Sequence, residues 1–249
     1  MSLANPLAVM PAPGNAGFTP QSISGLQVWY DAQYVHGVAD GTQMTFWPDR
    51  SGHNVNALTS ATLGDTIPTY YSTTSAQLFN GHPCWQFDGN RNIMVIPVPA
   101  TWATGALIVV GAATYTTNTV VPFLYDGGGW SIGYWLYSGP LYEADAGNNG
   151  GTGALEYNMG NLPTRNRFFA TILNGVNSFL FLDGSTVSTG NAGSISEPGG
   201  NNFCIGSVSE GAGYRLQGPI AEILVYSPPP TPSQISQLHT YEASKWGVP

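Results

Sequence analysis

The segment Arg167 to Val187, RFFATILNGVNSFLFLDGSTV, constrains the fold more than any other part of the chain. Asn174-Gly175 and Asp183-Gly184 each sit between apolar runs, and Asn-Gly and Asp-Gly supply the positive φ angles of two-residue hairpin turns. The segment therefore predicts three consecutive antiparallel strands. The apolar face of such a meander must bury against another layer.

Further strand signals supply that layer. Leu26 to Asp31 is a β-branched and aromatic run, as is Cys84 to Phe87, which ends at Asp88-Gly89. Asn92 to Ile96 follows. Gly105 to Thr114 is apolar throughout and reads as a strand buried on both faces, whereas Trp130 to Tyr137 alternates aromatic with small residues. With 32 Gly and 19 Pro in 249 residues, turns are frequent. Many short strands without long helical periods predict an all-β antiparallel sandwich. The one helix expected spans 231–246. There Thr231-Pro232-Ser233-Gln234 has the form of a capping box with proline at the first helical position, and Ile235, Leu238 and Tyr241 form a narrow apolar stripe that Trp246 anchors.

Residues 1–24 are rich in Pro, Gly and Ala and read as an extended N-terminal arm, with 25–249 as one sandwich domain including the helix. The first twenty residues lack a basic segment and an unbroken apolar core, so no signal peptide is expected, and no apolar run has the length of a membrane span. Charged residues make up 8% and the net charge is −8, with Lys245 the single lysine. No basic stripe exists, which argues against nucleic-acid binding and against anionic membranes. Two readings of Cys84 and Cys204 stay open: one long-range disulfide, or two separate buried thiols.

Three segments carry a family resemblance. The first is Leu26-Gln-Val-Trp29-Tyr-Asp31 with Phe46-Trp47-Pro-Asp49-Arg-Ser51-Gly52-His-Asn54. The second is Gly81-His-Pro83-Cys-Trp-Gln-Phe87-Asp88-Gly89. The third is Gly218-Pro-Ile220-Ala-Glu222-Ile-Leu-Val-Tyr226, followed by the terminal helix. Their order and spacing resemble the laminin-G-like, concanavalin-A-type jelly-roll domains of bacterial surface proteins and phage structural proteins. The resemblance implies a fold used by lectins, adhesins, glycosidases and capsid decorations alike, so it does not select a function. Read as residues, Asp49-Arg-Ser51-Gly52 is a turn, Trp29, Trp47 and Trp85 are core aromatics, and Glu222 is expected outward or on a backbone or tyrosine partner.

Glycosidases of this fold imply a Glu-x-Asp-x-x-Glu strand motif. Here Glu143-Ala-Asp145-Ala-Gly-Asn148 ends in Asn148, which cannot donate the catalytic proton. The stretch runs into a Gly/Asn loop, and Glu143 and Asp145 are expected to face solvent. The four histidines lie in turn-like or surface contexts, and no nucleophile elbow or phosphate-binding loop is present. No catalytic residue is therefore assigned. A glycan site would combine aromatic faces with amide and carboxylate groups. Its candidates are Trp130, Trp135, Tyr137, Tyr142, Asp126, Glu143, Asn148 and Asn149. Calcium, the one cofactor considered, would take Asp145 and Asn148.

The leading expectation is a non-enzymatic virion-surface protein, a capsid decoration or fibre-type subunit. Its arm (Ser2, Leu3, Pro6, Leu7, Val9, Pro11 and Phe18) would hold it to other virion proteins or to further copies of itself, with cell-surface glycans as a further partner. The alternative is a secreted or cell-surface lectin or adhesin module, and the third reading a degenerate glycoside hydrolase.

Overall fold

A computed structural model describes residues 17–60, 64–97, 105–111, 121–126, 130–135, 141–146, 154–159, 166–192, 203–207 and 215–249. Its strands are β1 (Leu26–Asp31), β2 (Thr42–Gln43), β3 (Phe46–Trp47), β4 (Ala57–Thr59), β5 (Thr69–Tyr71), β6 (Cys84–Asp88), β7 (Met94–Ile96), β8 (Gly105–Gly111) and β9 (Val121–Asp126). They continue with β10 (Trp130–Trp135), β11 (Leu141–Ala146), β12 (Leu155–Asn158), β13 (Arg167–Leu173), β14 (Ser178–Leu182), β15 (Ser185–Gly190), β16 (Phe203–Ile205) and β17 (Gln217–Tyr226). One α-helix, α1 (Pro232–Trp246), closes the chain.

Among the described residues the strands form a nine-stranded and an eight-stranded sheet. The first has the order β15-β14-β13-β8-β17-β6-β5-β2, with β1 also paired to β17. The second has the order β12-β11-β10-β9-β16-β7-β4-β3. Every strand pair is antiparallel. The molecule is the all-β sandwich that the sequence predicts.

Aromatic contacts show how the sheets face each other. Tyr30 of β1 stacks on Trp47 of β3 at 5.4 Å between ring centroids, and Trp47 meets Trp85 of β6 at the same distance. At the other end Tyr142 of β11 packs edge-on against Phe169 of β13 at 5.1 Å. Trp29, Trp47 and Trp85 are all buried, as read from the sequence. The helix covers the opposite face of the nine-stranded sheet, where His239 packs edge-on against Phe168 at 5.2 Å and Phe181 at 5.9 Å. Adjacent residues of a strand point to opposite faces. Phe168 thus meets the helix while Phe169 meets the second sheet, and β13 and β8 need apolar side chains at nearly every position.

Local chemistry explains the connections. Asp183-Gly184 forms a two-residue turn between β14 and β15 with φ of 44° and 88°. Asn174-Gly175, predicted as the same kind of turn, instead opens a 3₁₀ turn over Gly175–Asn177. Ser178 explains the difference: its hydroxyl donates to the Gly175 carbonyl at 2.7 Å and accepts from the Asn174 N–H at 2.8 Å, which stabilises the longer loop. Asp49 is the hub of the turn read in Asp49-Arg-Ser51-Gly52. It accepts from the N–H of Trp29, Ser51 and Val55 and from the Ser51 hydroxyl at 2.7–3.0 Å. Gly25 has φ +90°, and a Cβ there would sit 2.8 Å from the Pro228 carbonyl oxygen, so only glycine fits. Thr231 and Gln234 make the predicted reciprocal capping box on α1, and Gly247 ends the helix at φ 64°.

Cys84 and Cys204 form no disulfide. Cys84 lies in the nine-stranded sheet and Cys204 in the eight-stranded one, and both are buried. Burial pushes the Cys84 thiol up to about 12, so it is not a reactive nucleophile at neutral pH. Of the residues read as an arm, Phe18 packs edge-on against Tyr241 at 5.9 Å, and the Pro20 carbonyl accepts from the Tyr226 hydroxyl at 2.9 Å. Ser2, Leu3, Pro6, Leu7, Val9 and Pro11 lie outside the described residues. No helix among the described residues is long and apolar enough to cross a membrane.

Candidate functional site

The sequence-predicted glycan residues that fall on described strands lie on β9, β10 and β11, which are neighbours in the eight-stranded sheet. Asp126 and Trp130 are paired in register between β9 and β10, and Trp130 pairs with Ala146 on β11. Trp135 pairs with Leu141 at the far end of β10. Glu143 registers with Gly133 and Glu156, and Asp145 with Ser131. Glu143 and Asp145 are thus both positions of strand β11. Tyr137, Asn148 and Asn149 lie outside the described residues. Tyr142 does not serve the predicted role. It is 1% exposed, its hydroxyl shares a 2.8 Å hydrogen bond with Thr171, and burial raises its pKa above the ordinary tyrosine value. A ring enclosed between the sheets cannot stack on a sugar. No group of three or more metal-binding side chains is found among the described residues.

A second constellation lies on the helix-covered face of the nine-stranded sheet. In the register of β1 with β17, Asp31 is directly opposite Glu222. Two carboxylates so placed repel each other, more so when both are buried. They are 1% and 0% exposed. Lys245, in the last turn of α1, resolves the conflict: its Nζ lies 2.6 Å from Glu222 Oε2 and 2.9 Å from Asp31 Oδ2. Burial opposes the ammonium charge, but the carboxylates of Glu222 and Asp31 outweigh it and raise the Lys245 pKa. The indole N–H groups of Trp29 and Trp246 also donate to Glu222. Glu222, expected outward or on a backbone or tyrosine partner, is therefore the buried acceptor of a lysine and two tryptophans.

Glu242, one helical turn before Trp246, is fully buried beside this cluster, and neither of its carboxyl oxygens has a hydrogen-bond partner among the described residues. Burial and the neighbouring charge of Glu222 raise its pKa well above the usual carboxylate range.

Asp31 also reaches outward. It pairs with Arg50 Nη1, and its Oδ1 accepts from the Gln33 N–H at 2.8 Å, starting the 3₁₀ turn Ala32–Tyr34. The Arg50 guanidinium is stacked between two rings, 3.9 Å from the Trp29 centroid and 4.5 Å from that of Tyr34. Tyr34 remains 45% exposed, and His36 meets it edge-on at 5.6 Å. The Gln21 amide donates to the Arg50 carbonyl at 2.9 Å. Sequence reasoning missed Tyr34 and Arg50. The available signals were the Asp31-Ala-Gln-Tyr34 turn after the first strand and the isolation of Lys245.

Other described carboxylates have structural partners. Asp183 pairs with Arg167 at 2.6 Å, Asp65 accepts from Ser60 at 2.8 Å, and Asp88 accepts from the Asn90 N–H. Hydrogen bonds from the Thr74 hydroxyl and the N–H groups of Ser72, Thr73 and Thr74 hold the Asp40 carboxyl well below the usual range. Glu156 is exposed on β12.

No protein-family profile matches the chain, and no curated protein matches it in sequence. Solved structures do match in shape. Domain 4 of AbnA, a GH43 extracellular arabinanase from Geobacillus stearothermophilus solved in complex with arabinotriose, aligns with a TM-score of 0.59 at 14% identity, over 86% of this chain and 98% of that domain. The binding domain of Paraclostridial Mosquitocidal Protein 1 aligns at 0.61 and 9% identity over 92% of this chain, and an arabinofuranosidase complexed with arabinofuranosyl-α-1,2-xylobiose at 0.60 and 15% over 82%. The chain spans only 56% and 51% of the latter two. At these identities the likeness establishes the fold alone, an antiparallel β-sandwich.

Proposed function

We propose that this chain is a non-catalytic carbohydrate-binding module that works outside the cell. The observation that carries the reading is the alignment over 98% of a domain solved with arabinotriose bound. That match covers nearly the whole of domain 4 of an extracellular arabinanase. It supports the secreted or cell-surface alternative better than the virion-surface reading.

Two features support a non-catalytic role. Retaining hydrolysis needs two carboxyls about 5–5.5 Å apart, one of them free to protonate the leaving group. Among the described side chains, Asp31 and Glu222 are committed to Lys245, and Glu242 is enclosed beside them. Asn148 also breaks the sequence motif at the position of the acid.

The test is retention of the purified chain on immobilised polysaccharides and a glycan array, with reducing-sugar release measured in parallel. Retention on at least one neutral or acidic glycan without release is expected. Release of reducing sugar would overturn the non-catalytic role, and failure to bind any glycan would overturn the reading as a whole.

A further inference from the structure

We infer that Tyr34 and Arg50, at the rim of the helix-covered sheet, form a subsite for one ring of a neutral saccharide. This inference rests on the carbohydrate-binding reading and adds to it a place and a ligand class. It is separate from β9, β10 and β11, which carry the described sequence-predicted candidates.

Sugar recognition needs a flat apolar surface for the C–H face of the ring and hydrogen-bonding groups at its edge for the hydroxyls. Tyr34 provides the surface. Its ring is immobilised on one side by the Arg50 guanidinium, at 4.5 Å, and braced by His36, while 45% of the residue stays exposed. An aromatic group already fixed in place loses little conformational freedom on binding. Arg50 provides the edge. Its Nη1 is engaged with Asp31, Nε and Nη2 meet no acceptor among the described residues, and the side chain is 28% exposed. A guanidinium presents five N–H donors in a fixed plane, so open donors beside an exposed ring are suited to hydroxyl oxygens.

Charge balance selects the ligand class. Two cations, Arg50 and Lys245, face two anions, Asp31 and Glu222. An acidic sugar would need an uncompensated cation, and none is present in this cluster. Arg167 and Arg215 are likewise opposite Asp183 and Asp65. Neutral hydroxyls require no such charge.

The experiment is calorimetric titration of the full-length chain with neutral probes (arabino-, xylo- and cello-oligosaccharides and lactose) and acidic ones (sialyllactose and oligogalacturonate). Wild type should bind a neutral probe. Tyr34→Ala should weaken that binding about tenfold or more, as truncation of an aromatic anchor does, with an unchanged melting temperature, and Tyr34→Trp should retain it. Phe46→Ala is the control, because Phe46 is 43% exposed on the other sheet. Tyr34→Ala binding like wild type, or the loss appearing in Phe46→Ala, would overturn the subsite while leaving the carbohydrate reading intact. Binding confined to acidic probes would overturn the ligand class. Wild type binding no probe would overturn the subsite and, with an empty glycan array, the reading beneath it.

Discussion

Asp31 joins two regions that treat the same kinds of group differently. On its inner side Lys245, Glu222, Trp29 and Trp246 are enclosed under the helix, and the donors of the cluster converge on two carboxylates. On its outer side Arg50 keeps N–H donors open beside a half-exposed Tyr34. A buried charge left without a partner is costly, so the inner half must be closed. At the rim water serves any open donor at little cost, so the outer half can keep groups for a ligand. The difference separates holding the helix to the sheet from binding.

The strongest way to break this comparison is Lys245→Met. It leaves Glu222 buried without its cation and opposite Asp31, which keeps only Arg50, and should cost about 3–5 kcal/mol in urea denaturation. A loss below about 1 kcal/mol would show that water or protonation relieves the pair and that the inner half is not closed.

Glu242→Gln should act in the opposite direction. The folded-state pKa of Glu242 is raised, so the folded form holds its proton more tightly than the unfolded form does. Its contribution is fully present below the unfolded carboxylate value of about 4.3 and declines as pH rises toward the folded value. Glutamine has no proton to lose. The variant should therefore melt higher than wild type at pH 8, by on the order of 2–4 °C for about 1 kcal/mol, and the gap should close near pH 4. A gap that does not depend on pH would exclude ionisation as its cause.

Arg50→Lys sharpens the outer half. It keeps the charge beside Asp31 but loses the planar group stacked between Trp29 and Tyr34. A stability cost within about 1 kcal/mol is expected, because the pair is partly exposed, together with weakened saccharide binding. A cost of several kcal/mol, seen by the same denaturation, would place Arg50 with the closed half. Smallest of all should be the stability effect of Tyr34→Ala, within about 0.5 kcal/mol as for an exposed side chain. A larger drop in melting temperature would show that the ring supports the fold.

The parts legible in the sequence are those whose causes lie within a few residues. Asp183-Gly184 contains both positive-φ positions of its turn, Thr231 and Gln234 cap one helical turn, and the unbroken apolar run of β8 shows that both its faces are covered. Even there a neighbour intervened: Ser178 converted the Asn174-Gly175 turn into a 3₁₀ loop. The strand pattern of Trp130 to Tyr137 was readable, but an aromatic position reads alike whether it faces a sugar or another sheet. Thr171, the partner of Tyr142, belongs to a strand of the opposite sheet.

Sequence alone thus determined the all-β class, the meander, the capped terminal helix and the scarcity of basic residues, because periodicity, turn dipeptides and composition are local or additive properties. Tertiary structure alone decided that Cys84 and Cys204 lie in different sheets, that Glu222 is buried against Lys245, and that Arg50 is clasped between Trp29 and Tyr34. Trp29 and Glu222 are separated by 193 positions in the chain and become neighbours only when the first and last strands pair. No local pattern records that pairing, since its energy comes from contacts that exist only once the sheet has closed.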